Sequence, residues 1–301
     1  MHVNLSHDDK LIETRTSRIY LRDNLVYKLK QSVSDHFVDY STPEQRRIAI
    51  HREFDKGSKY SPRLYRALVE VKEPDSAQHE LAICMNYLGP PYRTCFTHLQ
   101  RSTSEPIPLE RLLQEVRAFH FQTPACEAAD NAPAPLRMDQ RFQLMTEETE
   151  SLGVNLPRAF TEGSEKFIRY YDNHYAARLR AGAIRQLHGD LHSGNILFNN
   201  DDFIFFDFLD FEESFTTGDI AIDLAFLAAD HFFFEEQERR THLLRLIESL
   251  FEVEARIILP LVGLGALNRA NTFQMSAAHA TLADGYYRLA VRLMERYVGS
   301  F

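Results

Sequence analysis

The stretch His188-Gly-Asp-Leu-His-Ser-Gly-Asn-Ile-Leu-Phe-Asn-Asn-Asp-Asp-Phe-Ile-Phe-Phe-Asp207 decides how this chain is read. Asp190 and Asn195 stand five residues apart, and Asp207 follows twelve later. Asn195-Ile-Leu-Phe reads as one short strand, Asn199 to Asp202 as a turn, and Phe203-Ile-Phe-Phe as the returning strand. A hairpin of that length is expected to bring Asp207 back beside Asn195. A carboxylate, a carboxamide and a second carboxylate can together accept a proton and hold a hard cation through oxygen. An aspartate and an asparagine at this spacing would occur by chance in many chains. The specificity lies in the full set of His188, Asp190, Asn195, the hairpin and Asp207.

Protein kinases use the same order: an aspartate that accepts the substrate hydroxyl proton, an asparagine five residues on that holds magnesium, and, after a hairpin, a second aspartate that holds magnesium too. This loop opens His-Gly-Asp rather than His-Arg-Asp. In that it resembles the aminoglycoside phosphotransferase family of small-molecule kinases, whose usual loop runs close to HGDLHPGN. The resemblance implies Asp190 as the catalytic base and Asn195 and Asp207 as Mg²⁺ ligands. Asp207 is preferred to Asp210 because it directly ends the returning strand, although Asp210 stays open as a sharer of the metal. His188 and His192 are expected to hold the loop's shape by hydrogen bonding, since Asp190 already supplies the proton acceptor.

Far upstream, Ser17-Arg-Ile-Tyr-Leu-Arg, the turn Asp23-Asn24 and Leu25-Val-Tyr-Lys-Leu-Lys read as two antiparallel strands. Period-two alternation puts Val26, Lys28 and Lys30 on one face, and Leu25, Tyr27 and Leu29 on the other. A kinase needs here a lysine that reaches the nucleotide phosphates, with a small or branched apolar residue two before it to cover the adenine. Lys28 with Val26 meets both needs; Lys30 would set Lys28 against the base. Thr42-Pro-Glu-Gln carries the marks of a capping box with proline at the first helical position, and the helix is expected to run to about Lys56, where Gly57 ends it. Glu53 is the candidate partner of Lys28. Glu44, the alternative, sits in the first turn and is more simply a complement to the helix dipole. Leu81-Ala-Ile-Cys-Met85 then leads into Asn86-Tyr87-Leu-Gly-Pro-Pro, an expected hinge where the main chain at Met85 and Tyr87 would meet the adenine edge.

Tyr27-Lys-Leu-Lys and Phe37-Val-Asp-Tyr-Ser-Thr-Pro-Glu-Gln-Arg-Arg resemble a bacterial subgroup of phosphotransferase-like domains often fused to a separate P-loop ATPase domain. Asp207-Phe-Leu-Asp210 and Gly218-Asp-Ile-Ala-Ile-Asp-Leu-Ala stand where that subgroup has its acids. No Walker motif occurs in this chain, so such a domain would be a separate partner. One departure is plain: Glu13-Thr-Arg-Thr-Ser-Arg contains no glycine where protein kinases have a Gly-rich loop. Backbone amides of Thr14, Thr16 and Ser17 are the expected phosphate contacts in its place.

Residues 107–121 show helical periodicity through Leu109, Leu112, Leu113, Val116 and Phe119, and Thr123 to Pro135 reads as a loop. Helices are expected near 160–182, 219–234, 236–252, 256–271 and 277–298. Asp219 would be the N-cap of the second of these; in the resembled family the acids here also brace the catalytic loop. Phe232-Phe-Phe reads as core.

At 301 residues, 44% of them hydrophobic and 26% charged, the chain has the composition of a globular protein of more than one average domain. Residues 1–87 carry a net +1 and residues 88–301 a net −10. An acidic larger part argues against a nucleic-acid partner and suits a cationic substrate. The N-terminus lacks the apolar stretch of a signal peptide, and the run near Ile257 to Leu267 is too short to cross a bilayer, so a cytoplasmic protein without a membrane partner is expected. Cys84, Cys95 and Cys126 form no metal-ligand spacing and read as idle thiols.

The expectation is therefore an α+β, two-lobed protein-kinase-like fold: a small, mostly antiparallel N-lobe with one helix over residues 1–87 for nucleotide, and a helical C-lobe over 88–301 with the catalytic loop and acceptor pocket. The expected activity is ATP-dependent transfer of the γ-phosphate to a small-molecule hydroxyl with Mg²⁺, GTP being left open as donor. The alternatives are a nucleotide-binding regulatory or sensing module without turnover, and a protein kinase or nucleotidyl transferase on the same fold.

Overall fold

The computed structural model describes residues 2–34, 38–101, 105–122, 125–126, 135–200, 202–210, 213–275 and 279–299. Phe37, Asp201 of the hairpin turn, most of the expected Thr123–Pro135 loop and the start of the helix expected from 277 lie outside them. In chain order the elements are β1 (His2–Asn4), β2 (Lys10–Glu13), β3 (Ser17–Arg22), β4 (Leu25–Lys30), α1 (Pro43–Tyr60), β5 (Tyr65–Lys72), β6 (His79–Asn86), β7 (Arg93–Thr94), α2 (Cys95–Gln100), α3 (Leu109–Phe121), α4 (Met138–Ser151), α5 (Arg158–Arg180), β8 (Ile184–Gln186), β9 (Ile196–Asn199), β10 (Asp202–Phe205), β11 (Thr217–Asp219), α6 (Ala221–Phe234), α7 (Gln237–Phe251), α8 (Ala255–Gln274) and α9 (Ala280–Gly299). They form two compact units, Met1–Arg93 with Leu197–Glu212, and Thr94–Ile196 with Glu213–Phe301.

In the first unit a six-stranded sheet runs in the order β1-β5-β6-β4-β3-β2. All neighbours are antiparallel except β1 and β5. The β3–β4 turn is made possible by Asp23 at φ 55°, a left-handed position that aspartate tolerates. Alternation then divides β4 as its sequence requires. Tyr27 and Leu29 enter a core with Leu5, Tyr20, Val69, Val71, Ala82 and Cys84, each large side chain contributing about 1.5–3 kcal/mol by burial. Lys28 and Lys30 take the opposite face. β5 escapes a sequence reading because the register shifts between Tyr65 and Ala67, which breaks the period-two pattern at its start.

α1 begins with the expected capping box between Thr42 and Gln45 and with proline in its first turn. It does not stop at Lys56: it continues through Gly57 to Tyr60. Gly57 serves packing. A Cβ there would lie 2.4 Å from ring atoms of Tyr65, so only glycine lets this helix face meet the tyrosine ring.

The second unit is helical, with β8 and β11 pairing as a short antiparallel ribbon from Ile184↔Asp219 to Gln186↔Thr217. α6 is buried along almost its whole length, as a helix apolar on all sides must be. Its aspartates are spent on the chain around it. Asp219, expected as an N-cap, instead ends β11; its carboxylate pairs with Arg178 through two contacts of 2.8 Å and accepts the Ala221 N–H at 2.9 Å. Asp223 accepts the amides of His188 at 2.8 Å and Gly189 at 3.1 Å. α4 was not legible in advance because its buried face carries Arg141, Glu148 and Thr149 among the apolar residues. Cys84, Cys95 and Cys126 are free thiols, and among the described residues no helix is long and apolar enough to cross a membrane.

Two measurements check this packing. Gly57→Ala should lower unfolding stability in urea by about 1–3 kcal/mol through overpacking against Tyr65, while Asp55→Ala, on the exposed face of the same helix, should change it by under about 0.5 kcal/mol; equal effects would remove the packing role. The second concerns pH. Burial pushes the Asp223 carboxyl up to about 7, against the His188 and Gly189 amides and Arg141, and the adjacent His120, 3.4 Å away, is pulled down to about 3 by burial and stays neutral. An unfolded aspartate loses its proton near pH ~3.9. Between about pH 4 and 7 the folded chain therefore holds the extra proton, and this contribution to stability falls as pH rises through that window. The stability of wild type relative to Asp223→Asn should decline from pH 5 to pH 8; a constant difference would refute the assignment.

Candidate active site

In the first unit Lys28 leaves β4 toward α1, where Glu53 faces it. Its Nζ donates to Glu53 Oε1 at 2.8 Å and also to the carboxylate of Asp207. Tyr65 completes a ring of contacts: its hydroxyl donates to Glu53 Oε1 at 3.2 Å and accepts the Asp207 N–H at 3.1 Å. Burial works to deprotonate Lys28, and the carboxylates of Asp207 and Glu53 overcome it, holding the ammonium above its ordinary range. Burial and the same two carboxylates push the Tyr65 phenol well up, so it remains a donor. Asp207 sits at φ 62°, the left-handed region, which turns the chain sharply as β10 ends. Its side chain is 47% exposed, whereas that of Asp210 is 6% exposed and spent on Lys30. Glu44 lies in the first turn of α1, and Glu53 takes the lysine.

Val26 pairs in register with Met85, one on β4 and one on β6. The Tyr87 N–H is donated to the Asn24 carbonyl at 2.8 Å and is thus not offered outward, although its ring is exposed. In the glycine-free turn the Thr14 N–H bonds the Ser17 carbonyl at 2.9 Å, and the Ser17 N–H bonds Thr14 Oγ1 at 3.0 Å. Two of the three amides named from the sequence are consumed by the turn's own geometry. Among the described residues no hydrogen bond uses the Thr16 N–H. The Ser17 hydroxyl is buried, with no hydrogen-bond partner among the described residues.

In the second unit the catalytic-loop candidate leaves β8 and is held from beneath by α6. Gly189 adopts φ 89°, so the residue before Asp190 has to be glycine for the chain to turn without strain. Its amide and that of His188 end on Asp223, and the Ser193 amide ends on Asp230 at 2.9 Å. Serine at 193 supplies an N–H that proline there would lack. Asp230 in turn accepts Arg269 Nε at 3.0 Å and the Tyr286 hydroxyl at 2.6 Å. His192 Nδ1 accepts the Gly194 N–H at 3.0 Å, the shape-holding role expected of it. Asn195 donates from Nδ2 to the Asp190 carbonyl at 2.9 Å. That turns its carboxamide oxygen the other way, available as a hard ligand for a cation such as Mg²⁺. Among the described residues no cluster of three or more His, Cys, Asp or Glu is arranged to hold a metal; a Mg²⁺ ion bound through one or two protein oxygens plus phosphate needs none.

Asp190 has a neighbour that no sequence motif announced. Asn268, on α8, donates from Nδ2 to Asp190 Oδ1 at 3.2 Å. Asp230, Asn268, Tyr40 and Tyr65 were all missed, and Lys30, weighed only as the weaker alternative to Lys28, pairs with Asp210 instead. For Asp230 a signal existed, since it lies seven residues after Asp223 and so on the same face of an otherwise apolar helix. The others come from distant parts of the chain and leave no local pattern.

A model of the phosphotransferase enzyme family (APH) matches residues 99–249, which contain Asp190, Asn195 and Asp207. An uncharacterized protein of Mycobacterium tuberculosis is 25% identical over 227 residues, covering 72% of this chain and 45% of that protein, so the chain spans just under half the length of this relative. Among solved structures, the microcompartment-associated aminopropanol kinase matches with a TM-score of 0.58 at 15% identity, over 99% of this chain and 95% of that one. The GDP complex of wild-type aminoglycoside 2'-phosphotransferase-IIIa matches with a TM-score of 0.57 at 12% identity, over 98% and 94%. These likenesses show a protein-kinase-like α+β fold. With half its length matched by the family model, and the loop from His188 to Asp207 inside the match, the chain belongs to the phosphotransferase enzyme family.

Proposed function

We propose that this phosphotransferase uses ATP and transfers the γ-phosphate to a hydroxyl of a small molecule. The observation that carries the reading is the buried Lys28 ammonium, fixed by Glu53 and Asp207, because a cation so held is the group that neutralises nucleotide phosphates in kinases. In this reading residues 1–87 contribute nucleotide binding and residues 88–301 the catalytic loop and the acceptor pocket. Lys28, oriented by Glu53, contacts the α and β phosphates; of the amides in the turn, that of Thr16 faces the phosphates. Val26 and Met85 cover the adenine, with Tyr87 beside it. Asp190, steadied by Asn268, orients the acceptor hydroxyl and takes its proton. Asn195 and Asp207 would hold Mg²⁺, which supplies charge neutralisation on the transferring phosphates.

The net −10 of residues 88–301 favours a cationic acceptor, such as an amino alcohol, by electrostatic attraction. The donor panel includes GTP, since the aminoglycoside enzyme above was solved with GDP. The 45% coverage of the mycobacterial relative fits a module that works beside a further domain, and a cytoplasmic location belongs to the same proposal. A second reading, a nucleotide sensor without turnover, is favoured by one observation: the Thr14 and Ser17 amides are occupied within their own turn. A broad panel of amino alcohols, aminoglycosides, sugars and nucleosides with ATP or GTP separates the two, because a sensor binds nucleotide and phosphorylates none of them.

Asp190→Asn should lower turnover by roughly 10²- to 10⁴-fold with nucleotide affinity nearly unchanged; wild-type turnover in that variant removes the assignment. Lys28→Ala and Glu53→Ala should each slow transfer several-fold or more, and the double variant should lose far less than the product of the two, as expected of residues acting as one unit. Independent, multiplicative losses would break the pair.

A further inference from the structure

The strand lysine has a twin. Lys30, two residues on and on the same face of β4, donates to Glu53 Oε2 at 3.1 Å, so one carboxylate bridges two buried ammonium groups, Lys28 through Oε1 and Lys30 through Oε2. Each lysine then reaches one acid of Asp207-Phe-Leu-Asp210: Lys28 pairs with Asp207 and Lys30 with Asp210. The two ends of this ladder differ. Asp210 accepts the Tyr40 hydroxyl at 2.5 Å, and the Tyr40 ring lies 5.5 Å from Lys30 Nζ. Lys30, Tyr40 and Asp210 are all buried, while the Asp207 carboxylate is half exposed.

The segment carrying both acids is pinned along its length. Ser61 Oγ donates to the Phe205 carbonyl at 2.6 Å, the Asp207 amide to Tyr65, and Lys56 Nζ to the Leu209 carbonyl at 2.7 Å. Residues 205–210 are thus fastened to α1 and its surroundings at three main-chain points, and the Asp207 carboxylate, paired with Lys28, is half exposed.

We propose that Lys30, Asp210 and Tyr40 form a fixed clamp, and that Lys28 alone changes partners. Three carboxylates face two ammonium groups here. With nucleotide and metal bound, Asp207 would serve the metal and Lys28 the phosphates, and Glu53 stays in place because Lys30 keeps its other oxygen. A buried carboxylate stripped of its cation would be strongly destabilised, and Lys30 prevents that during the exchange. Asp210 is then a positioning residue for Asp207 and not a second metal ligand. The proposal rests on the nucleotide-binding reading above.

The test uses the full chain with Lys30→Met, Asp210→Asn and the double variant. Binding of adenylyl imidodiphosphate is measured by calorimetry with and without Mg²⁺, and amide hydrogen exchange over residues 205–210 is measured in the ligand-free protein. Both single variants should weaken the Mg²⁺-dependent part of binding by a similar factor, roughly 5- to 150-fold. The double variant should be no worse than either, and all three should exchange faster over 205–210. Loss of all Mg²⁺ dependence in Asp210→Asn alone, with Lys30→Met like wild type, would make Asp210 a ligand and overturn the clamp. Wild-type protein that ignores the analogue overturns the nucleotide reading; unchanged exchange over 205–210 in both single variants overturns the clamp by itself.

Discussion

Glu53 is the group on which the first unit's chemistry depends. A single fully buried carboxylate between two buried lysines can persist only if every charge in the set finds a partner, because an isolated ion in such a place would cost several kcal/mol. Tyr65, Asp207 and Asp210 supply those partners. The same requirement explains features that look unrelated. α1 must pass close to Tyr65, which calls for Gly57, and the chain must turn left-handed at Asp207 to bring that carboxylate onto Lys28.

The second unit solves a comparable problem with a helix. α6 is apolar on all sides and buried, yet it carries Asp223 and Asp230 two turns apart. Each is directed at main-chain amides of the loop around Asp190, at residues 188, 189 and 193. Amides in a buried loop must be hydrogen-bonded, and carboxylates on a rigid helix do this with fixed spacing. Arg269 and Tyr286 then compensate Asp230 from α8 and α9, so three helices determine where the loop sits. α8 touches Asp190 itself through Asn268. The two units use one strategy: a buried acid held by cations, whose remaining capacity fixes the segment that carries a less buried carboxylate, Asp207 in one and Asp190 in the other.

Much of this was legible in the chain, and for local reasons. The β3–β4 hairpin, the capping box of α1, the β9–β10 hairpin and most helices of the second unit follow from turn residues and periodicity within a few residues of one another. The Lys28–Glu53 contact was found because alternation on β4 and a helix position narrow the choice. Reading failed where one residue served two demands. Gly57 looks like a stop and is a packing site; Asp219 looks like a cap and is half of a buried ion pair with Arg178. α4 hid because charged side chains occupy its buried face.

By itself the sequence determined the spacing of Asp190, Asn195 and Asp207, the single face shared by Lys28 and Lys30, and the glycine before Asp190, since each depends on short-range backbone geometry. Only the tertiary structure decided which acid each lysine meets, that Asp210 is enclosed while Asp207 is half exposed, and that Asn268 reaches Asp190. Those outcomes join residues up to 179 positions apart, and contacts at that separation are set by how buried charges and amides are jointly satisfied, a condition that no local pattern encodes.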